Sequence, residues 1–361
     1  MWLTLVLWTV LCAVSMGLML FCSMTKTIVI ADAAQEEAQS TAEESTEKPI
    51  IHTRELELKR EADSRDRFYI TLPADVKAEN ITMENRYWDG ELRIRIQSSS
   101  LEFYENCVIE GDISTIDSGI CEMKADGVLL RIKMNSLLEY RSTMEGKTLV
   151  LAFYEPVELY DTIVVLDPAG GGEELGCIGE AIPPESASEG IYLYEKDVTL
   201  QVARLVQKAL SLEGVKVYLT RAEDVNVTEE ERLAFLQEVE ADFYVRLSVD
   251  VADNGQLYGI RGEYNGQYYI PEFGNVQLAD MLTKEVTIAS SNKAEGLVPA
   301  GEDSILRQVK IPAAEISLGY FSNETERELL GQAVYREKLA TGVINTITKV
   351  CDILDKIGAE K

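Results

Sequence analysis

Residues 161–179 read DTIVVLDPAGGGEELGCIG, in which an apolar run, Ile163 to Leu166, is followed by Asp167-Pro168-Ala169 and three consecutive glycines, Gly170 to Gly172. Glycine permits positive φ and close backbone approach, so a loop of this kind at a strand end is where a ligand would sit. That ligand is not a phosphate. After Gly170 and Gly172 the dinucleotide spacing requires glycine where Leu175 stands, and Glu173-Glu174 replace the Lys-Ser/Thr of a P-loop. Two carboxylates at that point would repel a phosphate. Asp167, Glu195 and Asp250 define a candidate binding cleft, and three carboxylates suit a hard cation such as Ca²⁺ if they converge. Imidazole chemistry is restricted from the outset. The chain holds one histidine, His52, so no site built on two imidazoles exists. His52 lies in polar surroundings and reads as a linker residue, with a metal-ligand or pH-sensing role as the alternative.

These residues need elements to position them. Ile163 to Leu166 reads as a buried strand, and beyond it strands and helices alternate. KVYLT, FYVRLSV, GIRGEY and AAEISLGY read as strands. DVTLQVARLVQKALSLEG has Val198, Val202, Leu205, Val206 and Ala209 at helical spacing, with Gly214 as its stop. TEEERLAFLQEVE starts at a Thr228 cap, NVQLADMLTKEVTIA is a further helix, and the last helix runs from about Ala333 to Asp355. This order predicts an α/β domain over 161–361, a mostly parallel sheet flanked by helices. Upstream, over 61–160, RFYITL, ELRIRIQ, GVLLRIKM and KTLVLAFY alternate with period two between Gly-containing turns, which predicts a small antiparallel β-sandwich-like domain.

The N-terminal run from Trp2 to Met24 is apolar and uncharged over 23 residues. A span needs about 20 such residues, so residues 1–25 read as a transmembrane anchor, with a cleaved signal before a secreted chain as the alternative. Residues 34–60 read as an acidic, solvated linker. Either reading of the N-terminus exports the rest of the chain; the anchor gives a single-pass protein of the cell membrane with extracytoplasmic domains, and the cleaved signal a secreted one. The formal charge of −28, from 62 acidic and 34 basic residues, excludes nucleic acid as a partner. Six cysteines form no CxxC pair; Cys107 and Cys121 could form a disulfide in an oxidising compartment, or remain small buried thiols.

Read together, DPAGGGEELGCIG, EKDVTLQVARLV, VYLTRAEDVNVTEEERLAF, ADFYVRLSVD and IPAAEISLGYFSN resemble, in order and spacing, the zinc-dependent N-acetylmuramoyl-L-alanine amidases of peptidoglycan. The resemblance covers about residues 161 to 350 and implies a zinc site made by a His, a Glu and a second His, with a catalytic Glu beside it. Here the first His position is Gly170, the Glu is Glu195, the second His position is Ser248, and the catalytic position is Ser317. Glu195 is thus the sole retained metal ligand, or else simply a carboxylate favoured at a helix N-terminus. Catalytic zinc takes three protein ligands and an open water position, so the expectation is loss of the zinc and no cofactor. Ser248 or Ser317 as a nucleophile would need a Lys base, and none is adjacent. The preceding domain occupies the place of the wall-targeting β-sandwich modules of envelope hydrolases, although no motif carries that likeness. The implied function is a catalytically inactive amidase-like protein that binds peptidoglycan or regulates a cell-wall enzyme. The alternative is an active amidase with a shifted or non-zinc metal site. Residues 180–194 are expected to rim the former cleft, and Tyr264, Tyr268 and Tyr269 are aromatics suited either to stacking on sugar rings or to strand packing.

Overall fold

The computed structural model describes residues 50–61, 67–181, 191–211 and 215–359. The expected anchor at 1–25, most of the 34–60 segment, Gly214 and the middle of the 180–194 insertion lie outside the described residues. Among the described residues no helix is long and apolar enough to cross a membrane. The chain forms two compact units that divide between Tyr154 and Glu155.

The first unit contains two five-stranded sheets. One has the order β1 (Ile50–Glu55), β7 (Ile116–Lys124), β8 (Gly127–Met134), β5 (Glu91–Gln97), β4 (Ile81–Arg86). The other runs β2 (Glu57–Arg60), β6 (Val108–Gly111), β3 (Arg67–Thr71), β10 (Thr148–Tyr154), β9 (Glu139–Glu145). Every second residue of the central strands points into one core: Leu92, Ile94 and Ile96 from β5, Leu130 and Ile132 from β8, Leu149, Leu151 and Phe153 from β10. Two features differ from the sequence reading. Residues 50–60 are strands rather than linker, and His52 is an exposed residue of edge strand β1, opposite Met123. An edge strand exposes most of its side chains, so its polar sequence hides it; Arg54, donating to the carbonyls of Tyr104 (2.9 Å) and Cys107 (2.6 Å), and buried Leu56 fasten it. In addition, β2 pairs parallel to β6 in an otherwise antiparallel unit. Cys107 and Cys121 are free, buried thiols, which burial pushes up to about 11 and about 12.

The second unit starts with the short helix α1 (Pro156–Leu159) and is built on one six-stranded sheet. Its order is β14 (Lys216–Leu219), β11 (Ile163–Pro168), β15 (Phe243–Asp250), β18 (Ala313–Tyr320), β16 (Ile260–Tyr264), β17 (Ala294–Pro299). All pairs are parallel except β16 with β18. A small antiparallel hairpin, β12 (Ile178–Ala181) and β13 (Ile191–Tyr194), rises from the loop after β11. The two faces of the main sheet differ. One is apolar, with Val164, Leu166, Val245, Leu247, Ala314 and Ile316, and packs under α2 (Glu195–Leu210) and α4 (Asn275–Ser290); the short α5 (Glu324–Leu330) follows β18, and the long α6 (Ala333–Ala359) packs on α2 and α4. The other carries Asp167, Arg246, Ser248, Asp250, Glu315 and Ser317, and part of it is covered by α3 (Glu229–Glu238). The cap of α3 is the expected one: Thr228 Oγ1 accepts from Glu231 N at 3.2 Å while the Glu231 carboxylate accepts from Thr228 N.

Helices α4 and α6 cross where Gly342 leaves room for backbone. A Cβ at 342 would lie 2.4 Å from Val286 Cα. Replacing a helix-interior glycine with alanine ordinarily stabilises by about 1 kcal/mol. Here overlap with the main chain of α4 outweighs that gain, so Gly342→Ala is expected to lower the melting temperature of the full chain. A raised melting temperature would show that the two helices are not in backbone contact.

Candidate functional site

The polar residues lie in rows across the sheet. In one row Asp167 (β11) stands beside Arg246 (β15), Arg246 beside Glu315 (β18), and Glu315 beside Glu263 (β16). One step further toward the C-terminal ends of the parallel strands, Ser248 faces Ser317, and Ser317 faces Arg261. The strand ends therefore bring Ser248 and Ser317 together as the sequence order implied. Both are buried and held locally: Ser248 lies 3.5 Å from Ile316 O and bonds the Glu315 carboxyl, and Ser317 lies 3.3 Å from Gly319 O and bonds Asp250.

Glu195 is the first residue of α2, and its carboxylate points under the glycine loop. Oε1 accepts from Val249 N at 2.9 Å and Oε2 from Cys177 N at 2.7 Å, so this side chain pins the loop to the end of β15. Gly176, at φ +67°, lies so close that a Cβ would be 2.3 Å from Glu195 Oε2. The loop itself is filled by its own neighbours. Lys196 Nζ donates to Gly172 O at 2.8 Å and pairs with Asp224 at 2.6 Å, and Asp224 in turn accepts from Gly172 N. Arg232 donates to Gly170 O at 3.1 Å, and Arg221 to Ala169 O at 3.0 Å. Gly170 has φ +71°, with Glu174 O 2.8 Å from where its Cβ would be. The glycines are needed for backbone shape and for the approach of Arg221, Lys196 and Asp224.

The three carboxylates proposed to line one cleft do not converge. Asp167 is fully buried and is bonded by Arg232, Arg246, Tyr244 and Thr220, the last at 2.5 Å. Burial alone would push its carboxyl up; Arg246 and Arg232 more than offset this and hold it at about 2. Asp250 lies four residues beyond Asp167's neighbour Arg246, about 13 Å along the strand. It pairs with Arg261 at 2.6 Å, and burial raises its carboxyl despite that partner. Among the described residues no three His, Cys, Asp or Glu side chains form a metal-sized group. The tyrosines are also displaced. Tyr264 ends β16 opposite Ala314, and because β16 runs against β18, the loop bearing Tyr268 and Tyr269 lies at the opposite end of the sheet from Ser248 and Ser317. Arg221, Arg232, Arg246 and Arg261 do most of the bonding here; only Arg246 and Arg261 have a visible signal in the sequence, a charge inside a strand, while Arg221 follows β14 and Arg232 lies in α3.

Fold and strand-end geometry together define an α/β domain on a mostly parallel sheet, with Ser248 and Ser317 toward the C-terminal ends of the parallel strands. Residues 164–349, just over half of the chain, match the family model of N-acetylmuramoyl-L-alanine amidase, and the chain belongs to that family. It is 27% identical over 203 residues to the germination-specific N-acetylmuramoyl-L-alanine amidase of Bacillus subtilis (strain 168), covering 52% of this chain and 78% of that one. It is 28% identical over 183 residues to the probable cell wall amidase LytH of Staphylococcus aureus, covering 50% of this chain and 56% of that one. Among solved structures, the catalytic domain of the amidase CwlV from Bacillus (Paenibacillus) polymyxa var. colistinus aligns with 22% identity and a TM-score of 0.46, covering 53% of this chain and 99% of that one.

The family's zinc finds a poor donor set here. Gly170 has no side chain, Ser248 and Ser317 offer neutral hydroxyls already hydrogen-bonded within the chain, and each Glu195 oxygen already accepts a backbone N–H. Zinc prefers imidazole, thiolate or free carboxylate, so these residues do not fit it.

Glu315 makes the polar face pH-dependent. It faces Glu263 across the strand pair, with Asp250 nearby and Arg246 Nε 3.5 Å away. Burial raises its carboxyl to about 7, Arg246 and the Ser248 hydroxyl only partly opposing this. A carboxyl raised in the fold adds stability below its ordinary range, and that stability is lost as pH rises through about 7. Glu315→Gln removes the ionisation. Thermal melts at pH 8 are expected to show the variant about 2–4 °C above the parent, with little difference at pH 4.5. Equal offsets at both pH values would remove Glu315 from this role.

Proposed function

We propose that this chain is a membrane-tethered, extracytoplasmic amidase-like protein that does not cut peptidoglycan and acts by binding, either to peptidoglycan or to a cell-wall enzyme that it regulates. The observation that carries this is the state of the one retained ligand position. Glu195 uses both oxygens to hold Cys177 N and Val249 N, so it serves the backbone. The family's base for water is also replaced: Ser317 stands at the catalytic position, Asp250 is paired with Arg261, and Glu315, one row back on β18, is held by Arg246 and the Ser248 hydroxyl. The amidase activity in the names of the relatives belongs to those proteins. The domain order, with a β-sheet unit ahead of the amidase-like unit, and the apolar N-terminal run support tethering outside the cell.

The purified full-length chain is expected to carry no stoichiometric zinc by elemental analysis and to release no stem peptide from sacculi. Restoring side chains alone is not enough. From the sequence, Gly170→His with Ser248→His and Ser317→Glu would be expected to recover zinc at least in part. The structure lowers that expectation, because residue 170 has φ +71° and a Cβ there would lie 2.8 Å from Glu174 O. Zinc titration of the triple variant should therefore show weak binding, and no peptide release. One tightly bound zinc per parent chain, or peptide release by the parent, would sink the non-catalytic reading and favour the active alternative.

A further inference from the structure

The rim of the site carries a cluster of exposed large apolar side chains. Val251, Leu257 and Tyr258, in the loop joining β15 to β16, are 55%, 41% and 45% exposed; Ile178 and Tyr192, on the β12–β13 hairpin, are 49% and 51% exposed. The two groups flank one segment, Phe321–Asn323. Gly179 packs its backbone against the Phe321 ring, with a Cβ placed 3.0 Å away, which turns Ile178 and Tyr192 to the outer face of the hairpin. On the other side Ser322 Oγ accepts from Ala252 N at 3.1 Å, and Asn323 Nδ2 donates to Gly255 O at 3.0 Å.

The loop 251–259 is held in shape by groups that ignore the old catalytic chemistry. Gly259 N donates to buried Glu326 Oε1 at 3.0 Å, the same carboxylate accepts from Asn292 Nδ2 and Tyr320 N, and Leu257 N closes on Asn254 O. Lys293 lies over the Tyr258 ring, 5.0 Å from its centroid. Apolar side chains presented on a fixed loop bind without a large ordering cost, which is the anatomy of a binding hot spot. Carboxylates surround them: Glu180 on the hairpin, Asp253 in the loop and Glu324 after Asn323 are all exposed. A second copy of this chain would bring the same carboxylates to the contact, and a carboxylate-bearing wall polymer would be repelled in the same way.

We propose that this rim is a docking surface for a protein partner whose contact face is apolar at its centre and basic at its edge. The proposal rests on the non-catalytic reading and selects its regulatory arm, contact with a protein, over contact with glycan.

The test uses the full-length chain with a benzophenone photo-crosslinking residue at Leu257, compared with one at Tyr269, 83% exposed at the far end of the sheet. A protein captured from Leu257 and not from Tyr269 is then purified and titrated against the chain. Support requires that Leu257→Ser with Tyr258→Ser weakens binding at least about tenfold, that Asp253→Lys weakens it as well, that Tyr269→Ser leaves it unchanged, and that affinity falls with added salt. Capture of glycan only, of another copy of this chain only, or of no protein overturns the proposal, as does binding indifferent to the Leu257 and Tyr258 changes. Loss of sacculus co-sedimentation in the same double variant would also overturn it. The melting temperature of each variant separates surface effects from misfolding. Peptide release by the parent would defeat the non-catalytic reading on separate grounds, so the two failures are distinguishable.

Discussion

One buried charge organises the amidase-like unit. Asp167 has no exposed surface, and its carboxylate is bonded from the residue just after β14 (Thr220), from β15 (Tyr244 and Arg246) and from α3 (Arg232). A carboxylate removed from water is costly unless charge and hydrogen bonds compensate, and cutting one partner from such a group costs about 3–5 kcal/mol. The strand order β14-β11-β15 and the docking of α3 are thereby tied to one side chain. The network extends upward, since Arg232 also reaches Gly170 O, and Arg221 beside it reaches Pro168 O and Ala169 O. The glycine loop has its shape because the network beneath it has its shape. All of these bonds are made by the chain's own groups, so the network beneath the loop is complete within the protein.

Much of this fold was written in periodicity. The 3.6-residue spacing of Val198, Val202 and Val206 and the cap at Thr228 placed α2 and α3, and period two placed the core strands of the first unit. Strands that bury only one side were less legible: β1 and β2 look like linker because edge positions tolerate charge, and β17, in the stretch after α4, alternates too little to be seen. The reversed direction of β16 could not be read at all. Strand direction depends on which way a connection returns, and no residue of GIRGEY encodes it. That reversal moved Tyr268 and Tyr269 to the wrong pole of the domain and brought Arg261 to Ser317 instead.

At the site, residue identity was legible and convergence was not. The ordered blocks put Gly170, Ser248 and Ser317 at or just after strand ends and Glu195 at a helix start, all at the same pole of the sheet. Asp167 was misassigned for a physical reason. In a sequence, a carboxylate beside a glycine loop looks the same whether it faces solvent or three donors from other elements. Only partners 53 to 79 residues away, Thr220, Arg232, Tyr244 and Arg246, decide it.

On the proposed reading, burial and hydrogen bonding also account for which positions changed and which did not. Without zinc, two histidines and a catalytic glutamate at 170, 248 and 317 would be buried polar or charged groups with their strongest partner missing, each costing about 1–3 kcal/mol or more. Serine at 248 and 317 removes that cost, because a short hydroxyl can turn onto Ile316 O or Gly319 O. Glycine at 170 removes it differently, by letting the main chain take φ +71° and close onto Arg232. Glu195 is the opposite case. Its loss would leave the N–H groups of Val249 and Cys177 without their acceptor at a buried strand end, so the fold needs it whether or not a metal ever binds. One retained carboxylate is therefore poor evidence of retained catalysis: its two backbone bonds are sufficient to explain its presence.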